Sequence, residues 1–146
     1  MANSVKLTLE TVERGLRFSA VVPNGLKTVV DSGQGRVAMS PIEMLLVSLA
    51  GCCGMDVIEI LRKKRQQVTG YEIEVSGERR AEHPRSYTRI DVLHRLRGRD
   101  LSAAAVQQAV ELAHSKYCSV QGTIDPAVTV VNRFEILPAE VSTHGA

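Results

Sequence analysis

SPIEMLLVSLAGCCGMD, residues 40–56, decides the reading of this chain. Ser40-Pro41-Ile42-Glu43 has the form of a capping box, with Ser at the N-cap, Pro at the first helical position and Glu at the third. A helix is therefore expected from Pro41 to about Lys64. Its first two-thirds are apolar nearly all round, the pattern of a helix buried in the middle of something. RKKR (62–65) supplies the basic end that the helix dipole favours. Gly51 and Gly54 cost propensity inside a helix, so they are expected to mark close packing against another backbone. Two adjacent cysteines, Cys52 and Cys53, lie in this apolar run, and the third, Cys118, follows 66 residues after Cys52.

Working outward, three short β-like segments precede the helix. VKLTLETV (5–12) and LRFSAVV (16–22) flank Glu13-Arg14-Gly15, and LKTVV (26–30) follows the turn signal Pro23-Asn24-Gly25. Two alternating strands come after the helix: Tyr71, Ile73 and Val75 share one face of the first, Ile90, Val92, His94 and Leu96 one face of the second. EHPR (82–85) connects them. A second helix is expected over Ser102–Lys116, with Val106, Ala109, Val110 and Ala113 on one side. Val128 to Ile136 alternate as a last strand. The order three strands, helix, two strands, helix, strand implies an α+β fold with a largely antiparallel sheet, not a doubly wound one. One small sheet hardly covers a helix apolar all round, so a dimer with helices at its centre is expected.

At 146 residues the chain fits one domain, 1–146. Its composition, 44% hydrophobic and 23% charged, excludes a disordered or low-complexity chain. A formal charge of +2, from 18 basic and 16 acidic residues, leaves no electrostatic footprint for nucleic acid. RKKR and ERRAEHPR (78–85) read as solvated basic surface. Met1–Glu10 lacks the apolar core of a secretory signal. The apolar tract Met44–Met55 is shorter than the roughly 20 residues a bilayer span needs. Three cysteines without CxxC spacing do not make a secreted disulfide framework. The expectation is a cytoplasmic protein with no membrane or nucleic-acid partner.

A buried helical thiol is ordinarily inert, because desolvation opposes the thiolate. Asp56, four residues after Cys52, shares its helix face and would oppose a thiolate there, so a reactive Cys52 calls for a nearby cation. Glu43, nine residues earlier, lies about 180° round the helix from Cys52. Helical neighbours cannot satisfy disulfide geometry, which leaves Cys118 as the partner for either Cys52 or Cys53. On the residues alone this is a candidate dithiol. His83, His94, His114 and His144 show no metal-ligand spacing with the cysteines. His94, on an apolar strand face, reads as a hydrogen-bonded core histidine. A Cys–His hydrolase using Cys52 with His94 or His114 has no sequence block behind it, and Gly33-Gln34-Gly35 is too short to argue for a phosphate loop.

SPIEMLLVSLAGCCGMDVIEIL (40–61), GERRAEHPRSYTRIDVL (77–93) and HSKYCSV (114–120) together resemble the OsmC/Ohr family, the osmotically inducible protein C and organic hydroperoxide resistance proteins. The likeness runs from about residue 5 to 137 and is greatest to the OsmC-like subgroup. It implies an intertwined homodimer with a largely antiparallel sheet wrapped on long central helices. It also implies thiol-dependent reduction of organic hydroperoxides, with no bound cofactor and no metal, and an external dithiol of lipoyl type as reductant. By resemblance Cys52 takes the peroxidatic position and Cys118 the resolving one, while Cys53 lies outside the pattern and reads as a small packing residue. The family's thiolate is held by a Glu ten residues before the cysteine and an Arg from the N-terminal region. Here that place is Ile42, with Glu43 beside it as the candidate. Arg17 and Arg36 are the candidate arginines, with Arg80 a third. The rival expectation is a non-catalytic dimer that binds a small hydrophobic ligand.

Overall fold

The structure is a computed structural model that describes residues 1–10 and 15–139. Thr11 and Val12 of the first expected strand, the Glu13-Arg14 turn and His144 lie outside the described residues. The elements are β1 (Lys6–Leu9), β2 (Phe18–Val21), β3 (Lys27–Val30), α1 (Pro41–Lys63), β4 (Gln67–Arg79), β5 (Tyr87–Arg99), α2 (Ala103–Leu112), a π-helical turn (Ala113–Tyr117), α3 (Ser119–Thr123) and β6 (Thr129–Pro138). They fall into two compact units, Met1–Leu45 and Leu46–Ala146.

The first unit holds an antiparallel sheet in the order β1-β2-β3. Gly25 turns the chain between β2 and β3 with φ +93°, a conformation open to glycine at no steric cost. Ala20 is the one buried hydrophobic residue described here, while Leu7, Leu16 and Leu26 are exposed. Three four-residue strands without an apolar core are not a stable unit on their own.

Helix α1 starts where the capping box places it. Glu43 Oε1 accepts from the Ser40 amide at 3.0 Å and from Ser40 Oγ at 2.9 Å, and the Glu43 amide donates to Ser40 Oγ at 3.3 Å. The helix ends in a Schellman arrangement: the Gln66 amide reaches Leu61 O at 2.9 Å and the Arg65 amide reaches Arg62 O at 3.0 Å. Arg65 takes the left-handed position with φ 56°, where glycine is usual. At 23 residues α1 is long and apolar enough to cross a membrane by length and composition. Leu49, Ala50, Cys53, Gly54, Val57 and Leu61 are nonetheless packed inside the protein, as in a core helix.

In the second unit β4 and β5 form a long antiparallel hairpin, and β6 runs parallel to β5. The sheet is therefore mixed: three of the four described strand pairings are antiparallel, in keeping with the largely antiparallel expectation, and β5 with β6 is the parallel one. Parallel neighbours need a crossover connection, and α2 with the segments after it supplies one between β5 and β6. The alternation read in β5 holds, since Ile90, Val92, His94 and Leu96 are all fully buried. Val57 and Leu61 of α1 pack with Leu96, Val106, Ala109, Val110 and Ala113 as the core between sheet and helices. Gly54 does mark close packing, but against a side chain and not the expected backbone: a Cβ there would come 2.5 Å from Ile73 Cδ1. Gly51 does not, because a Cβ there meets nothing within 4 Å.

Candidate active site

The three thiols converge from two places. Cys52 and Cys53 come from the middle of α1. Cys118 comes from the junction between the π-helical turn and α3. The turn arises after Leu112, where the Cys118 amide bonds to Ala113 O, five residues back, at 2.8 Å. A π turn inserts a residue into the helical phase and so re-aims the chain beyond it, a device common at functional sites. Cys118 then caps α3, its Sγ accepting from the Gln121 amide at 3.3 Å.

All three cysteines are free. Cys118 Sγ lies within 4.8 Å of Cys52 Sγ, and it is near enough to Cys53 for each thiol to influence the other's titration. Cys53 is fully buried and Cys118 is 5% exposed, whereas Cys52 is only partly buried. Burial pushes the Cys53 thiol well above its ordinary value, and the Cys118 contact adds to this. Burial also raises Cys118, opposed by the Cys53 thiol and the Gln121 amide and reinforced by the Cys52 contact. Cys52 is thus the thiol a substrate can reach, and Cys118 holds its proton beside it.

Asp56 completes the cluster. One ligating atom each of Cys52, Asp56 and Cys118 lie within 4.8 Å of one another. The helix phase put Asp56 on the Cys52 face, and there it points. Its Oδ2 is buried without a hydrogen-bond partner, and burial, then Glu59, raises the carboxyl above its ordinary value. Asp56 also lines a 310 Å³ pocket with Glu59, Ile60, Lys63, Lys64, Leu112 and Tyr117.

Arg17 pairs with Asp31 and Glu10, both at 3.5 Å, Arg80 is exposed, and Arg36 forms a two-pronged ion pair with Glu43. Arg36, followed by the Ser40 amide and hydroxyl, holds the Glu43 carboxyl down at about 2. An Arg–Glu pair therefore does exist at the start of α1. Its Glu stands one position after the place the resemblance assigns, nine residues before Cys52.

Sequence reading missed a buried polar chain behind Cys53. Cys53 Sγ lies 3.5 Å from His114 Nδ1 and 3.8 Å from Gln121 Oε1. His114 Nδ1 is 2.6 Å from Gln121 Oε1, His114 Nε2 is 2.9 Å from His94 Nε2, and His94 Nδ1 is 2.5 Å from the Tyr71 hydroxyl. One proton arrangement satisfies every atom with neutral groups. Nδ1–H of His114 donates to Gln121, Nε2–H of His94 donates to His114, and the Tyr71 hydroxyl donates to His94. Burial supports it: His94 is held down to about 4, His114 is also lowered, and the Tyr71 phenol is raised. Cys53 is buried as a packing residue would be, yet its thiol also ends this chain. The core-histidine reading of His94 holds. His114 meets Cys53, not the Cys52 that a hydrolase would pair with it. The signal for His114 was its place four residues after Val110, on the apolar side of the helix expected over Ser102–Lys116.

The sequence model of the family described as OsmC-like protein matches residues 32–132. The chain belongs to the OsmC-like family. It is 40% identical over 125 residues to protein YhfA of Escherichia coli K12, covering 86% of this chain and 93% of that protein. A hypothetical protein from Aquifex aeolicus VF5 has a similar crystal structure, with TM-score 0.84, 31% identity, and 96% and 99% of the two chains covered. The organic hydroperoxide resistance protein OhrB of Bacillus subtilis shares the fold at TM-score 0.62 and 17% identity, over 92% of this chain and 98% of its own.

Proposed function

We propose that this OsmC-like protein is a cysteine-based reductase of organic hydroperoxides. The observation that carries the reading is the partly open Cys52 with the Cys118 thiol within 4.8 Å of its own. The Cys52 thiolate attacks the distal peroxide oxygen. The O–O bond breaks, the alkoxide takes a proton and leaves as alcohol, and Cys52 becomes a sulfenic acid. Cys118 attacks that sulfur, water leaves and a Cys52–Cys118 disulfide forms. An external dithiol, lipoyl-type by resemblance, returns both thiols by exchange. The buried Cys53 takes no part in oxygen transfer. The Arg36–Glu43 pair is the candidate for the family's thiolate-supporting pair.

The assembly we propose is the intertwined homodimer, in the cytoplasm, with 1–146 acting as one domain. Two observations support a second copy as partner. Leu45, Val47 and Met55 leave apolar surface exposed on α1, and the β1-β2-β3 sheet has almost no core of its own. A rival reading, a non-catalytic dimer that binds a small hydrophobic ligand, draws on Asp56, whose buried Oδ2 has no hydrogen-bond partner beside Cys52. Steady-state turnover of tert-butyl and cumene hydroperoxides with dihydrolipoamide separates the two. The reductase reading expects turnover that Cys52→Ser abolishes. No turnover with either peroxide would leave the binding reading.

A further inference from the structure

We propose that Cys52, Asp56 and Cys118 form a binding site for a thiophilic divalent cation of the zinc type. The proposal is independent of the peroxidase reading. Two thiols and a carboxylate are ligands of the kind zinc takes, and the three ligating atoms lie within 4.8 Å of one another. Zinc–sulfur bonds of about 2.3 Å in a tetrahedral site set ligand edges of roughly 3.8 Å. The triangle therefore needs to close by about 1 Å at most, within reach of small side-chain rotations.

Two features of the surroundings suit a cation. Asp56 Oδ2 is buried with no hydrogen-bond partner, so a strong acceptor is left unanswered. The Gln121 amide already donates to Cys118 Sγ at 3.3 Å, the outer contact that orients a ligand and favours its thiolate. Cys52 and Asp56, four residues apart on one helix, present a preformed edge, and Cys118 closes it from α3.

Binding would release the two thiol protons and leave two thiolates and a carboxylate around a doubly charged ion, with a fourth position open. The cation would then cap the two sulfurs assigned to oxygen transfer and disulfide formation, while Cys53 stays outside the site.

The test is titration of the reduced full-length protein with cobalt(II) and then zinc(II) at neutral pH, without chelating buffer. The expected result is one equivalent of cobalt per chain. An intense thiolate-to-cobalt band in the near ultraviolet and tetrahedral bands in the visible should appear, and one equivalent of zinc should displace both. Thiols open to a disulfide reagent in denaturant-free buffer should fall by up to two on metal binding. Asp56→Asn and Cys52→Ser should each weaken zinc at least tenfold, and Cys53→Ala should leave it within a few-fold. Should a variant fail to fold, the cobalt spectrum and stoichiometry of the parent still decide. Octahedral cobalt bands only, or no stoichiometric binding, would overturn the site. Unchanged affinity in Asp56→Asn, or loss in folded Cys53→Ala, would overturn this ligand set. A negative result here leaves peroxide turnover unaffected, so the two readings fail separately.

Discussion

Lowering the pH from 8 to 5 places a proton on an unfolded histidine but not on His94, which folding holds down to about 4 from 6.5. The causes are its burial on β5 first and then the neighbouring His114. A depressed group contributes stability that is present above its unfolded value and lost as the pH falls toward the folded one. A difference of one in pKa between the folded and unfolded chain corresponds to about 1.4 kcal/mol. Integrating between the two values gives a loss of about 2 kcal/mol by pH 5 and about 3 kcal/mol by pH 4 from His94 alone. His114, also lowered, adds in the same direction. Asp56 opposes them: its raised carboxyl contributes stability below its unfolded value of 3.8 that is lost as the pH rises through its folded value. Comparison with His94→Gln, which keeps polar atoms near Tyr71 and His114, subtracts the other groups. Urea unfolding at fixed protein concentration, from pH 8 to 5, should show the parent losing about 2 kcal/mol more than the variant. Equal losses in the two proteins would refute a neutral, buried His94 and with it the hydrogen-bonded chain behind Cys53.

Gly98→Ala should destabilise by about 1–3 kcal/mol, since the new Cβ would press on the Gln67 carbonyl and the Leu101 side chain. A urea midpoint unchanged from the parent would contradict that packing. The melting temperature should rise with protein concentration, as it does when folding is tied to association. A soluble monomer by light scattering at micromolar concentration would remove the second copy from the account.

The parts of the fold legible in the sequence were those with local signals. Ser40, Pro41 and Glu43 marked the start of α1, and the capping bonds are there. The alternation of Ile90, Val92, His94 and Leu96 marked the buried face of β5. Parallel pairing of β6 was not legible, because alternation is the same in either direction. The π turn and the Schellman end also escaped, the latter because Arg65 stands where a glycine would announce it. Of the candidate site, the i, i+4 relation gave Cys52 with Asp56, and the resemblance gave Cys118. The Cys53–His114–His94–Tyr71 chain joins residues 61, 20 and 23 positions apart, contacts that only the tertiary fold creates.

Peptide mapping by mass spectrometry, after one equivalent of cumene hydroperoxide is added to the reduced protein, tests the central claim most directly. The account predicts a dominant intramolecular Cys52–Cys118 disulfide, with Cys53 still a free thiol. A dominant Cys53–Cys118 linkage, or three thiols left reduced, would contradict it.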